Sequence, residues 1–420
     1  MGKPRMGHLV LAPAVAVGAL MLAGCRSHGP EERVSRASPP PAYTPIPNSG
    51  NAFDGYALAA LQVEQTAGKQ LTRVSYYPDQ KKAAMKACAS ALSDIARASQ
   101  SPCTFHFVAR VPFALAPYQQ GWRLLGRVLD WRIDEDCAAA NYDGAIDSAV
   151  LATKFGFDLC GGGPSDASLG LTIADDARIS LAPSLTKMTP GQLKRLSDGI
   201  QAALQRKAPV SAIVDNEAQN IRLDEQTLRD AAEHDDFKEL TKQLGPGVKE
   251  AVDYLHDIHG NESKLAAYFK GFEAEGDQMV KWLRDNGAKP KAGRDTEPKF
   301  DKGTERPWKR FAFHFFTAAF PMLKMDDRTI ARTRLLVINA ELIKGAKEQN
   351  ETKGNTSTYP PTLGDFPHDI VKDPYTGKPF LYHVEKAVFS VYSVGENLRD
   401  DAGDTDETFT TPDLKLELKE

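Results

Sequence analysis

The chain lacks most of what would mark an enzyme or a nucleic-acid binder. No Gly-rich phosphate loop, Gly-x-Ser-x-Gly elbow or His-Glu-x-x-His pair occurs in its 420 residues, which removes the commonest phosphate-binding, serine-hydrolase and zinc-protease signatures. Basic charge is not in excess: 52 Lys and Arg face 56 Asp and Glu, for a formal charge of -4. No surface for nucleic acid is implied. Cysteine is scarce, five in all, and no two have the spacing of about two to four residues found in zinc ligand pairs. Long apolar runs are missing as well. The longest opening candidate, Leu9 to Leu22, falls short of the roughly 20 residues needed to cross a bilayer.

What the N-terminus does have is order. Lys3 and Arg5 precede that short apolar run, which is interrupted only by Pro13, and small residues close it. This is the layout of a secretory signal. The segment ends Leu22-Ala23-Gly24-Cys25, which resembles the lipobox of bacterial lipoproteins. The resemblance implies removal of residues 1–24 and acylation of Cys25 on its thiol and its new amino group, palmitate being one such chain. Arg26 in place of an aspartate implies transfer to an outer membrane, facing the periplasm or the cell surface. Each buried CH2 contributes about 0.8 kcal/mol, so several acyl chains hold the body without any membrane-binding surface of its own. Residues 25–50, with Pro39, Pro40, Pro41, Pro45 and Pro47, read as an extended tether, because such a segment cannot bury enough apolar surface to offset its ordering entropy.

The remaining chain is long enough for two or three cores, and at 41% hydrophobic and 26% charged its composition is that of a globular protein. Once Cys25 carries lipid, Cys88, Cys103, Cys137 and Cys160 are left. An even count in an exported protein suggests disulfides. Cys88 with Cys103 and Cys137 with Cys160 close the shortest loops and are the favoured pairs, with four buried thiols as the alternative.

Residues 51–285 read as a helical domain. Lys81 to Ser99, Gly121 to Ala140 and Tyr142 to Phe157 carry apolar residues at helical spacing, with alanines that allow close approach. The second and third of these resemble one tetratricopeptide-type hairpin, bulky on the first helix and alanine-rich on the second, though no 34-residue period recurs. Cys160-Gly-Gly-Gly-Pro164 breaks the pattern. Thr189-Pro190-Gly191-Gln192 carries a capping box and Pro in the first turn and opens a helix predicted to reach Lys207. Further helices are predicted at Gln226 to Leu244, Val248 to Ile258 and Glu262 to Arg284. Residues 286–307 are a Gly, Pro and charge-rich linker. Trp308 to Met325, with Phe311, Phe313, Phe315, Phe316 and Phe320, is expected to be a core helix ending at Pro321.

The last segment, 308–420, changes texture. A helix over Asp327 to Asn350 is followed by Tyr359-Pro360-Pro361, Asp373-Pro374-Tyr375-Thr376-Gly377 and Val388 to Gly395, in which apolar and polar residues alternate between turns. This resembles the end of the major pseudopilin of type II secretion, and also a group of uncharacterised exported bacterial proteins with a helical region before the same tail. The resemblance implies a small α+β module, and a calcium loop whose ligands would be Asp400, Asp401, Asp404 and Asp406. Carboxylates suit that hard cation. No other cofactor is expected. The helix before the module is expected to open with Asp326-Asp327-Arg328 where a pseudopilin would have an apolar, filament-packing start.

One enzyme motif needs weighing. Asp257-Ile258-His259-Gly260-Asn261 resembles the first metal-binding motif of calcineurin-like phosphoesterases, but it follows a segment spaced as a helix, Val248 to Leu255, and the family's later signatures are absent. It reads as a helix end. The expectation is therefore a mainly α protein, with an irregular, weakly tetratricopeptide-like body and a small α+β pseudopilin-like module. It is expected to be a non-enzymatic envelope lipoprotein with a binding or scaffolding role, no catalytic residues, a membrane contact through its lipid and an envelope protein as partner. The rivals are an accessory component of a type II secretion or pilus-like machine, and a hydrolase whose site forms from scattered residues.

Overall fold

Local signals start most of the helices where they are found. In the computed structural model, which describes residues 43–67, 76–106, 118–244, 249–298, 319–353, 359–385, 388–403, 413–416 and 418, proline occupies the first turn of α2 (Pro78–Ala98), α5 (Pro164–Leu181) and α6 (Pro190–Arg206). Its missing N–H has no intrahelical partner there in any case. Thr189 caps α6 by accepting from the Gln192 amide at 3.3 Å, and Gln192 returns the bond to the Thr189 amide at 3.0 Å. Asn141 caps α4 (Tyr142–Leu159), and Asn261 caps α10 (Glu262–Asn286). The remaining helices are α1 (Ala52–Ala67), α3 (Gln119–Ala138), α7 (Val210–His234), α8 (Phe237–Leu244), α9 (Lys249–Ile258), α11 (Ala319–Lys353) and the single turn α12 (His368–Val371). The lipobox and most of the tether lie outside the described residues.

The protein is mainly α with a small antiparallel sheet near its C-terminus, as expected. That sheet runs β1 (Leu381–Glu385), β2 (Val388–Ser393), β3 (Leu414–Lys415), in this order. Tyr382 sits opposite Val391, and Ser393 opposite Leu414.

Three boundaries differ from the sequence expectation. A helix covers Pro164–Leu181 where none was predicted. Helix α7 starts at Val210, well before Gln226, and stops at Asp235, whose φ of 56° is left-handed. Pro321 does not end a helix. It lies within α11, so Asp326 and Asp327 fall inside that helix, and residues 308–318 of the expected aromatic helix lie outside the described residues.

Packing divides the chain differently from its linker. The largest core joins α1 to α6 with the later part of α11 and with Leu363, Ile370, Tyr375, Phe380 and Val391 of the C-terminal module. A second core joins α7 to α10 with Ala319, Phe320 and Leu323 at the start of α11. Between them a small apolar cluster, including Phe157, Leu171, Ile213 and Met322, bridges both. Helix α11, about 50 Å long at 1.5 Å per residue, is thus common to both cores. Ion pairs fix it there: Lys207 with Asp326 at 2.8 Å, Arg294 with Asp327, and Arg332 with Asp175 at 2.9 Å. Burial pushes the Asp327 carboxyl up to about 6 despite its guanidinium partner. Helices α4 and α5 touch through backbone, since a Cβ at Gly156 would collide with the Gly170 carbonyl and a Cβ at Gly170 with that of Gly156.

The disulfide expectation is corrected by the same geometry. Cys88, Cys103, Cys137 and Cys160 are all free thiols. Cys137 closes α3 and Cys160 follows α4, so the length of α4, about 27 Å, separates them. A disulfide needs Cα atoms within about 7 Å. Cys88 lies mid-helix in α2, about 15 Å along the axis from the end that leads to Cys103. Cys160 instead donates to the Gly156 carbonyl at 3.5 Å, and burial pushes its thiol up to about 12 and that of Cys88 up to about 11.

Candidate functional site

A groove of about 490 Å³ opens where α6, α11 and the loop before α12 meet. Its floor is apolar: Val337, Leu342 and Ala346 of α11 are buried, and Phe366 and Pro360 of the loop complete it. Charged residues of both signs stand around it. On α6, Lys194 bonds Asp198 at 2.7 Å, which holds the ammonium above its ordinary range, and on α11 Lys344 bonds Glu341. Gln201 is anchored to Ser197 at 3.0 Å. The rim is therefore pre-positioned by helix neighbours one turn apart.

The loop wall is fixed by the sheet and the core. Leu363 is buried, the rings of Tyr359 and Phe389 sit 4.6 Å apart, and the Tyr382 hydroxyl donates to the Pro360 carbonyl at 2.9 Å. Nearby, Lys347 donates to the Thr186 and Met188 carbonyls at 2.8 and 2.6 Å, closing one end of the α6 and α11 contact. Gly345 is part of the lining. A Cβ there would meet nothing within 4 Å, unlike Gly121, whose Cβ would meet the Ala60 carbonyl at 2.6 Å. Packing does not require a glycine at 345, and glycine inside a helix is destabilising by about 0.5–1 kcal/mol relative to alanine. What the missing side chain preserves is open groove.

The polar groups that line the groove are Lys194, Asp198, Gln201, Glu341, Lys344, Gln349 and Asp365. Amide, ammonium and carboxylate groups around an apolar floor suit recognition.

Two polar clusters lie elsewhere, one buried and one half-buried. Asp158 accepts from Tyr56 at 2.7 Å and is held by both ends of the Arg206 guanidinium, which also reaches the Ser101 carbonyl at 2.9 Å. This knot joins α1, α4, α6 and the segment after α2. Between α3 and α5, Asp176 is pushed up to about 7 by burial first and by Asp130 and Asp175 next, while burial pushes Asp130 up to about 6 although Ser180 donates to it at 2.6 Å. Raised carboxyls of this kind are suited to proton exchange near neutral pH.

The other residues singled out in the sequence fall as follows. Cys25 is outside the described residues, and so are Asp404 and Asp406. Asp400 accepts from the Tyr392 hydroxyl at 3.0 Å and the Ala402 amide at 2.9 Å, and Asp401 accepts from Asn397 at 3.0 Å. Asp413, which the sequence did not single out, closes the loop by accepting from the Asp401 and Gly403 amides at 3.1 and 2.7 Å. His259 and Asp257 lie at the end of α9, as a helix-end reading requires. Among the described residues, the one group close enough to share a metal ion is Asp235, His256 and His259. No described helix is long and apolar enough to cross a membrane.

No protein-family profile, curated protein or solved structure matches the chain.

Proposed function

We propose that this chain is an envelope lipoprotein that binds an extended segment of a partner protein in the groove between α6, α11 and the loop before α12. The observation that carries the reading is Gly345, a helix-interior glycine that lines the groove with open space where a side chain would stand. The rim supports the choice of occupant. Paired charges of both signs flank an apolar floor, an arrangement that suits a peptide with apolar side chains on one side and polar groups along its edges. The Leu22 to Cys25 lipobox supplies the location: acyl chains on Cys25 hold the protein at the membrane, and residues 26–50 carry the body away from it.

The test is made on the full chain in its own envelope. A photo-crosslinking residue at Gln201 is expected to give one dominant protein adduct. Gly345→Trp, which fills the groove, should reduce it at least tenfold, while Gly345→Ala leaves it unchanged. In the same cells Cys25→Ser should abolish fatty-acid labelling. Equal adducts with tryptophan and alanine at 345 would overturn the groove as the binding site, and normal labelling of Cys25→Ser would overturn the anchor.

A further inference from the structure

The geometry points to a zinc(II) site made by Asp235, His256 and His259, where the end of α7 meets the end of α9. The stretch Asp257 to Asn261 drew attention in the sequence for a motif whose carboxylate would be Asp257. The fold brings a different carboxylate to the imidazoles. Asp235 Oδ1 lies 3.7 Å from His256 Nε2 and 3.9 Å from His259 Nε2, and one ligand atom from each of the three residues lies within 4.8 Å of the others.

Three independent features arrange these atoms. Asp235 stops α7 in the left-handed region, with φ 56° and ψ 35°, which turns the chain back and sets its side chain across from α9. His259 Nδ1 bonds the His256 carbonyl. A carbonyl only accepts, so Nδ1 carries the proton and Nε2 presents a lone pair, the tautomer that a metal ligand requires. His256 and His259, one turn apart, stack at 5.2 Å with an interplanar angle of 26°, and both rest against the edge of buried Phe237. Both rings are therefore positioned before any ion arrives. Asp257 Oδ1 stands 3.9 Å from His256 Nδ1, beyond hydrogen-bond reach.

Distances decide the ion's fit. Tetrahedral zinc with bonds of about 2.1 Å places its ligand atoms about 3.4 Å apart, so the two carboxylate–imidazole separations of 3.7 and 3.9 Å need only a small adjustment, and the two imidazoles, within 4.8 Å of each other, must close on the ion by rotation of exposed side chains. Two imidazole nitrogens and one carboxylate oxygen match zinc better than calcium or magnesium, which take oxygen. The ligands are open to solvent, with side-chain exposures of 61%, 54% and 37%, so an ion can enter without unfolding and its fourth position faces water. Bound there, it would clip the α8 and α9 pair to the end of α7.

The experiment measures zinc affinity of the full mature chain at neutral pH by competition with a chromogenic chelator, and cobalt(II) coordination by its visible spectrum. One zinc per chain is expected, with cobalt giving the strong bands of a four-coordinate ion. His256→Ala, His259→Ala and Asp235→Asn should each weaken zinc at least tenfold. Asparagine tolerates the left-handed backbone, so the last variant removes the charge while keeping the turn. His368→Ala, at an exposed histidine elsewhere, should change nothing. Absence of binding, equal affinity in the three variants, or equal weakening by His368→Ala would overturn the site.

Discussion

Replacing Asp176 by asparagine should stabilise the protein at alkaline pH and do little in acid. Asp176 lies half-buried between α3 and α5 beside Asp130 and Asp175, and desolvation first, then those carboxylates, raises its carboxyl from 3.8 to about 7. A carboxyl raised on folding favours the protonated form in the native state. Its contribution to stability is complete below pH 3.8 and is lost as the pH rises through about 7. Three units at about 1.4 kcal/mol each set an upper bound near 4 kcal/mol. Partial exposure and local relaxation reduce this to about 2 kcal/mol. Asparagine has the same shape and no charge, so at pH about 8 the variant should gain most of that difference, about 4–8 °C in Tm at roughly 2–4 °C per kcal/mol. Differential scanning calorimetry of both proteins from pH 4 to pH 8 reads the effect directly. The two curves should converge near pH 4. A gain of equal size at pH 4 and pH 8 would refute the titration argument, because it would then come from packing or helix propensity. So would equal Tm values at pH 8.

Other perturbations probe separate parts of the fold. Gly170→Ala places a methyl against the Gly156 carbonyl and should lower stability in urea by about 2 kcal/mol or more, whereas Gly345→Ala should raise it by about 0.5–1 kcal/mol. Arg206→Met leaves Asp158 and Tyr56 buried without their cation and should lower stability by about 3–5 kcal/mol in the same assay. Cys88 and Cys160 should resist alkylation at pH about 8 in the native protein and react fully once it is unfolded without reductant, as read by mass spectrometry. A mass matching two intact disulfides would refute the free-thiol arrangement.

How far the sequence could be read depended on where each signal was stored. Helix α6 was legible because Thr189, Pro190 and Gln192 act on their own neighbours, and its apolar face is a single stripe. Helix α5 was not. It packs on α3, α4, α7 and α11, so apolar residues occur all around it, while Asp166 and Arg178 are buried among them. Such a helix shows no amphipathic contrast. The stop at Asp235 escaped for another reason: neither Gly nor Pro marks it, and the left-handed turn is carried by an aspartate. Pro321 misled because its effect depends on its position in a helix, which a local reading could not fix. The disulfide expectation rested on loop length alone, and α4 is a rigid rod that holds the ends of its loop apart. The groove combines Lys194, Gly345 and Phe366, residues far apart in sequence, and no local pattern joins them. For His256, His259 and Asp235 the histidines were visible, but their carboxylate partner came from another helix.

The place of α11 has a consequence for the order of events in folding. Arg332 meets Asp175 across 157 residues of chain, and Lys347 meets Thr186 across 161. A chain made from its N-terminus delivers α1 to α10 first, with the surface that α11 will cover still open to water. Neither core can close until Ala319 to Lys353 has emerged. Loop closures of this length are slow compared with helix formation, so the rate-limiting step is expected to be the docking of one late helix. The body therefore stays incomplete until Ala319 and the residues after it are available, and then sets in a single cooperative step.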